Sequence, residues 1–314
     1  MKNKRPVRVL VVGSINMDLV LDLDRVPDTG ETVLGKACSY IPGGKGANQA
    51  VAAARLGGDV TMCGRIGRDS NGKVLHKNLS DNHIHTDCLA TDEASQTGLA
   101  VIPVDAEGQN RIMVFSGANK AMAREDVDQA LLISYDVVIL QLEIPPDIVY
   151  YACERASAMG IPVILDAGPA IELDLSRLKG IDIISPNESE ASLFTGIQIK
   201  SRETAVQSAR ILYEATNPSY VLIKLGSKGS LLYRKGKYEF FPAFDIKAVD
   251  TTAAGDSFTA AVALKWIEYG DIRKAIRYAT AVGAICVSRQ GAQPSLPAEK
   301  EVLDFLNAKG LMDI

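Results

Sequence analysis

Nothing in this 314-residue sequence is apolar for long enough to cross a bilayer, and it has no block of Lys or Arg suited to a nucleic acid. Its 34 basic and 38 acidic residues leave a net charge of −4, too mild to suggest a polyanionic partner. It also lacks paired cysteines. Cys38, Cys63, Cys88, Cys153 and Cys286 are odd in number, scattered and without a CxxC, so neither a disulfide framework nor a zinc site is indicated. His83, His85 and Cys88 lie near one another, but a polar surface turn explains them more simply than a metal does. The basic start at residues 1–8 runs directly into a strand pattern rather than into a signal peptide. These absences lead to the expectation of a reduced, soluble, cytoplasmic protein with no nucleic-acid or membrane partner.

The chain does contain strands and helices in alternation. Residues 7–15, 60–66, 137–142, 163–166, 181–185 and 220–225 read as buried strands. Helical patterns occupy 46–56, 71–79, 147–159, 188–195, 202–214, 254–266 and 272–287, and a late hairpin spans 229–233 and 238–242. Short buried strands separated by helices predict an α/β fold, a three-layer, mostly parallel sheet with helices on both faces. Two regions break that rhythm. Residues 19–24 alternate, 31–41 are extended, and 98–104 with 111–115 form a hairpin around Asp105-Ala106-Glu107-Gly108. Segments 17–41 and 97–115 are therefore expected to form a small β-sheet lid on a single domain covering 1–314. Leu19, Leu21 and Leu23 would give that lid one apolar face, joined by residues drawn from Leu99, Val101, Ile112 and Val114. An apolar outer face would be unstable in water, so a homodimer packed lid to lid is expected.

Two glycine-rich segments stand where loops feed helices. Asp250-Thr251-Thr252-Ala253-Ala254-Gly255-Asp256 puts small residues and an acid at a helix start. Bare N–H groups there suit an anion, and Asp256 beside them could take a proton from a hydroxyl. Phosphoryl transfer to an alcohol requires that combination. An acid in a first helical turn is also common for dipole reasons alone, but that does not account for three small neighbours. Gly43-Gly44-Lys45-Gly46-Ala47-Asn48 is neither a P-loop, since no Ser or Thr follows Lys45, nor a dinucleotide fingerprint, since Gln49 stands at the third glycine. It could be only a tight turn; Lys45 and Asn48 beside bare N–H groups would equally suit several hydroxyls. Asn16 and Asp18 follow the first strand and suit a sugar diol. Asn187-Glu188-Ser189-Glu190 reads first as a capping box.

In this order the segments resemble the ribokinase-like (phosphofructokinase-B type) sugar kinases, from Gly13-Ser14-Ile15-Asn16 to Gly291-Ala292-Gln293-Pro294-Ser295. The resemblance implies an ATP-dependent kinase that phosphorylates D-ribose at O5. Asp256 would be the base, and the N–H groups of Ala253, Ala254 and Gly255 the anion hole. Asn16, Asp18, Gly44, Lys45, Asn48 and Glu143 would hold the sugar. Asn187 and Glu190 would organise phosphate and Mg²⁺. Lys224, Leu225, Gly226, Ser227, Lys228, Gly229 and Thr280 would line the ATP site, with Gly255 at its edge. Asp250, Thr252, Cys286, Arg289, Gly291 and Ser295 match a K⁺ site, several of them through carbonyls. Three positions depart from the family pattern. Lys224 stands for a usual Thr, Asp166-Ala167-Gly168-Pro169-Ala170 for Asn-Pro-Ala-Pro-Ala, and Thr280 for Asn or His. The alternatives are a kinase of deoxyribose, another sugar or a nucleoside, and a catalytically silent sugar-binding module.

Overall fold

The computed structural model describes residues 5–311, so the first four residues of the basic start fall outside it. In chain order the elements are β1 (Arg8–Val12), β2 (Asn16–Asp22), β3 (Ala37–Gly43), α1 (Lys45–Arg55), β4 (Asp59–Gly67), α2 (Ser70–Asp81), β5 (Leu89–Asp92), β6 (Gly98–Val104), β7 (Met113–Phe115), α3 (Arg124–Ala130), β8 (Val137–Leu140), α4 (Pro146–Ala158), β9 (Val163–Asp166), β10 (Ile183–Ser185), α5 (Glu188–Thr195), α6 (Arg202–Thr216), β11 (Tyr220–Lys224), β12 (Ser230–Arg234), β13 (Lys237–Phe241), α7 (Ala254–Tyr269), α8 (Ile272–Val287) and α9 (Glu299–Ala308).

Among the described residues the main sheet has nine strands, ordered β13-β12-β11-β10-β9-β8-β1-β4-β5. It is parallel from β5 to β11, with β12 and β13 antiparallel at one edge. Strands such as Val137-Val138-Ile139-Leu140 are buried on both faces, as a helix-covered parallel sheet demands. Alternate residues of β1 serve different cores. Val9 and Val11 pack with α1, α7 and α8, while Leu10 and Val12 pack with α3, α4 and α6. Each fully buried aliphatic side chain contributes roughly 1.5–3 kcal/mol, so the two cores rather than helix propensity hold the layers together. The chain leaves β1 towards β4 on one side and returns from β5 to β8 on the other. Such a switch point opens a crevice at the carboxyl ends of the strands.

The small sheet has the order β3-β2-β6-β7. Two of its strands are shorter than the extended runs read from the sequence: β3 starts at Ala37 and β7 at Met113. One facial assignment is also corrected. The pairs Leu99↔Phe115 and Val101↔Met113 put Phe115 and Met113 on the face of Leu19 and Leu21. Val114 pairs with Ala100 on the opposite face, with Asp18, and Ile112 lies outside the strand. A slip of one residue exchanges every side chain between faces, because the strand period is two.

Candidate active site

The parallel strands deliver a row of polar residues to one rim of the sheet. Ser14 and Asn16 follow β1, Gln141 and Glu143 follow β8, Asp166 ends β9, Asn187 follows β10 and Lys224 ends β11. At the switch point Glu143 Oε2 accepts bonds from Ser14 Oγ (2.5 Å), Lys45 N (3.1 Å) and Asn16 Nδ2 (3.4 Å). Asn119, which the sequence did not single out, fixes Asn16. Its Nδ2 donates to Asn16 Oδ1 (2.7 Å), and its Oδ1 accepts from Ile15 N (2.9 Å).

The glycines beside Lys45 exist for close approach, not only for a turn. A Cβ on Gly43 would lie 2.1 Å from Asp18 Oδ2, and one on Gly46 would lie 2.7 Å from backbone atoms of Gly13 and Ser14. Gly44 has φ +88°, and a Cβ there would lie 2.6 Å from Asn16 N. The start of α1 therefore presses against the end of β1, bringing Lys45 and Asn48 over the site. Burial first, then the neighbouring Glu143 and Asp256 carboxylates, push the pKa of Asp18 up to about 7.

Asp256 sits in the first turn of α7 and is nearly buried, at 5% exposure. Its Oδ2 accepts from Asn48 Nδ2 at 3.0 Å, and Lys45 Nζ lies 3.4 Å from Oδ1. Burial works against the charge of Lys45, but Asp256, Asp166, Glu143 and Glu190 outweigh it and hold its pKa above the usual value. Ala253 caps α7 with φ 59°, a left-handed backbone that costs a residue with a Cβ about 1–2 kcal/mol. The first turn of a helix leaves N–H groups without intrahelical partners. Here Ala254 N–H turns back to Thr251 O at 3.3 Å.

A cavity of about 450 Å³ opens from this helix start. Of the residues assigned to ATP, Asn187, Glu190, Lys224, Gly226, Ser227, Gly229, Gly255 and Thr280 line it, as do Lys45, Asp256, Ala253 and Ala254. Phe244, Ile246 and Val287 supply an apolar wall. Leu225 instead turns into the core, and the ammonium of Lys228 reaches Glu188 at 3.3 Å. Asn187 and Glu190 do form the capping box, with bonds of 2.9 and 2.7 Å, and the box itself faces the cavity. Asn16, Asp18, Asn48 and Glu143 lie beyond Lys45 and Asp256. Those last two residues are where the polar network meets the cavity.

Two further arrangements surround this meeting point. Fully buried Asp166 accepts from Lys224 Nζ (2.8 Å), Gln49 Nε2 (3.0 Å) and Thr259 Oγ1 (3.1 Å). Below the α7 start, Asp250 accepts from Thr252 N (2.9 Å), Thr252 Oγ1 (2.6 Å) and Gly291 N (2.8 Å), joining two loops. Burial raises the pKa of Asp250, but these bonds outweigh it and hold the carboxyl below its usual range. Cys286 Sγ lies 3.0 Å from Ser295 Oγ, while the Arg289 guanidinium turns outward to Glu301. Among the described residues no group of three or more His, Cys, Asp or Glu could hold a metal ion, and His85 pairs with Asp59 instead.

The sequence pattern of the pfkB family carbohydrate kinases matches residues 7–299. The chain belongs to that family. Among relatives, a ribokinase from Haemophilus influenzae is 39% identical over 298 residues, covering 94% of this chain and 97% of its own length. A bifunctional ribokinase/ribose-5-phosphate isomerase A from Fructilactobacillus sanfranciscensis is 39% identical over 304 residues; the match covers 96% of this chain but only 56% of that protein. Among solved structures, Arabidopsis thaliana ribokinase complexed with ribose and ATP superposes with a TM-score of 0.88 at 36% identity, covering 96% of this chain and 99% of that one. Membership of the pfkB family accounts for the large sheet flanked by helices and for the separate small sheet. It also directs attention to the α7 start, where the acid, the first helical turn and the cavity coincide.

Proposed function

We propose that this chain transfers the γ-phosphoryl group of ATP to O5 of D-ribose. The observation that carries the reading is the place of Asp256, where a dense polar network and an open cavity meet on the first turn of α7. In this reading the sugar lies among Asn16, Asp18, Gly44, Lys45, Asn48 and Glu143, with O5 towards Asp256. ATP fills the cavity, its base against the apolar wall and its phosphates towards Ala253, Ala254 and Gly255. Asp256 takes the O5 proton as O5 attacks in line, and the helix start with Lys45 stabilises the charge on the transferring group. The small sheet closes over the sugar and excludes water as a competing acceptor.

Asn187 and Glu190 carry hard oxygen donors and line the cavity in which the phosphates would lie, a set that suits Mg²⁺ held through water. When bound, Mg²⁺ neutralises phosphate charge. Asp250 and carbonyls around Thr252, Cys286, Arg289 and Gly291, with the Ser295 hydroxyl, would form a low-charge oxygen set that suits K⁺. The cation would steady the loop carrying Ala253. A cytoplasmic site of action fits the cysteine pattern.

The same reading includes a homodimer joined through the outer faces of the small sheets. Tyr40, Met113 and Phe115 are 63%, 48% and 59% exposed on the face shared with Leu19, Leu21 and Val101. A contiguous apolar face on a thin sheet is better covered by its own copy than by water. Light scattering at micromolar concentration should give twice the monomer mass, and Leu21→Asp should halve it. A panel of ribose, deoxyribose, hexoses and nucleosides, scored by ADP release, tests the activity. Ribose should turn over fastest, and no release with any sugar would end the proposal.

A further inference from the structure

We infer that Lys224, held in place by Asp166, is a phosphate-contacting catalytic residue of this kinase. The inference rests on the kinase reading and adds to it a second cation at the transferring group.

Lys224 is the last residue of β11, and its N–H donates to Pro186 O at 2.9 Å, so its backbone is fixed in the sheet. Its side chain lines the cavity and is only 13% exposed. The nearest heavy atom to a Cβ built on Gly255 is Lys224 Nζ, at 3.6 Å. The ammonium therefore stands beside the α7 start, where an anion is already favoured. It carries three N–H donors, and its 2.8 Å bond to Asp166 Oδ1 uses one of them.

Fold stability alone does not account for this pair. A buried ion pair adds little net stability over neutral side chains of the same shape, because desolvation consumes most of the attraction. Asp166 is built as an anchor. It is completely buried, and Gln49 and Thr259 hold its second oxygen. Gln49 is itself fixed through Gln141 Nε2, which donates to Gln49 Oε1 at 2.7 Å. Burial disfavours the Asp166 charge, yet Lys224 and Lys45 keep the carboxyl below its usual range. Lys45 and Lys224 thus both line the cavity at the α7 start, each tied to a carboxylate, Asp256 and Asp166 respectively. A triphosphate that fills this cavity up to Asp256 meets both ammonium groups in its lining. In the transition state both cations would face the oxygens of the transferring group, with Asp166 as the positioning residue.

The test compares wild type, Lys224→Met and the double variant Asp166→Asn/Lys224→Met. Three quantities are read: thermal stability, affinity for a non-hydrolysable ATP analogue against adenosine, and kcat with KM for each substrate. Lys224→Met leaves buried Asp166 without its nearest cation, with only the more distant Lys45 and two neutral donors, so its Tm should fall, and the double variant should recover most of the loss. Both should lose about 10²-fold or more in kcat, as for other removed transition-state donors, with the KM for ribose unchanged. Both should bind the analogue about tenfold or more weakly while adenosine affinity stays as in wild type. If Lys224→Met does not fold, the double variant carries the comparison. A double variant with wild-type turnover and analogue affinity would reduce Lys224 to a counter-ion for Asp166 and overturn the inference. If wild type phosphorylates no sugar, yet the variants weaken the analogue and not adenosine, the kinase reading fails and the phosphate contact stands.

Discussion

The two halves of the site are built in opposite ways. On the sugar side, Glu143, Ser14, Asn16, Asn119, Lys45, Asn48 and Asp256 are linked by bonds of 2.5–3.4 Å, Gly44 and Gly46 let backbone press on backbone, and Gly43 makes room for the Asp18 carboxylate. On the nucleotide side, a cavity of about 450 Å³ has an apolar wall, and of its lining glycines Gly255 and Gly283 have room while Gly229, where a Cβ would lie 1.9 Å from Phe241 O, does not. Gly283 of α8 lines that cavity, and a Cβ built there meets nothing within 4 Å. A sugar with several hydroxyls must be oriented before one of them reacts, which requires preset donors and acceptors. An adenine-sized group needs mainly an apolar slot, since the phosphates supply its orientation. The sugar half should therefore be intolerant of small changes and the nucleotide half more forgiving, except where the two meet and at the tight turn of Gly229.

The largest effect belongs at the meeting point. Asp256→Asn keeps the shape and a partner for Asn48 but removes the base, so kcat should fall about 10²–10⁴-fold with little change in ribose affinity. Steady-state kinetics beside calorimetric ribose titration separates the two quantities. Turnover close to wild type would show that some other group accepts the proton.

A paired glycine experiment addresses the contrast itself. Helix propensity alone says that Ala in place of Gly stabilises a helix by about 1 kcal/mol at either Gly46 or Gly283. At Gly46 the added Cβ would lie 2.7 Å from backbone atoms that cannot rotate away. Overpacking of this kind costs about 1–3 kcal/mol, enough to reverse the sign, and it displaces Lys45 and Asn48. Gly46→Ala should thus lower Tm and raise the KM for ribose about tenfold or more, while Gly283→Ala should hold or raise Tm. Equal responses at the two positions would remove the distinction drawn between the halves.

K⁺ sharpens the comparison from beneath. Asp250 ties Thr252 to Gly291, directly below Ala253 in its left-handed conformation. A cation there would hold the anion cradle without touching either substrate. Activity should rise several-fold, roughly up to tenfold, in K⁺ over Li⁺ after thorough desalting, through kcat more than through either KM. Rates alike in K⁺, Na⁺ and Li⁺ would leave the loop sufficient alone.

The sequence made this division visible only in part. Buried runs such as 137–140 announce a parallel sheet because both faces must be apolar. The short, half-exposed β5 and the helices α3 and α9 carried weaker patterns and were missed. Asp256, Lys45 and Asn48 were legible because small residues cluster around them in the chain. Asn119 was not, because its work is done on Ile15 and Asn16, more than 100 residues away. Lys224 and Asp166 were visible as two separate departures from the family pattern. Only the fold, by placing β9 and β11 on either side of β10, makes them one pair. The facial error at Ile112 and Val114 has the same origin, since pairing register is a property of two strands and not of one.

The smallest expected effect concerns Asp18, on the lid side of the sugar half. Its pKa rises from 3.8 in the unfolded chain to about 7 in the folded one. The folded state therefore binds more protons than the unfolded state between these values, so this group lowers stability as pH rises from about 4 to about 7. Below that window the carboxyl is neutral in both states; above it the folded protein carries a buried charge beside Glu143 and Asp256. Asp18→Asn removes the charge and keeps the shape. Its Tm should match wild type near pH 4 and exceed it by roughly a few degrees above pH 7, the gap growing across the window. Scanning fluorimetry from pH 4 to 9 reads that gap directly. A Tm difference that stays constant with pH would mean that Asp18 is ionised throughout, and that its burial beside Glu143 and Asp256 does not raise its pKa.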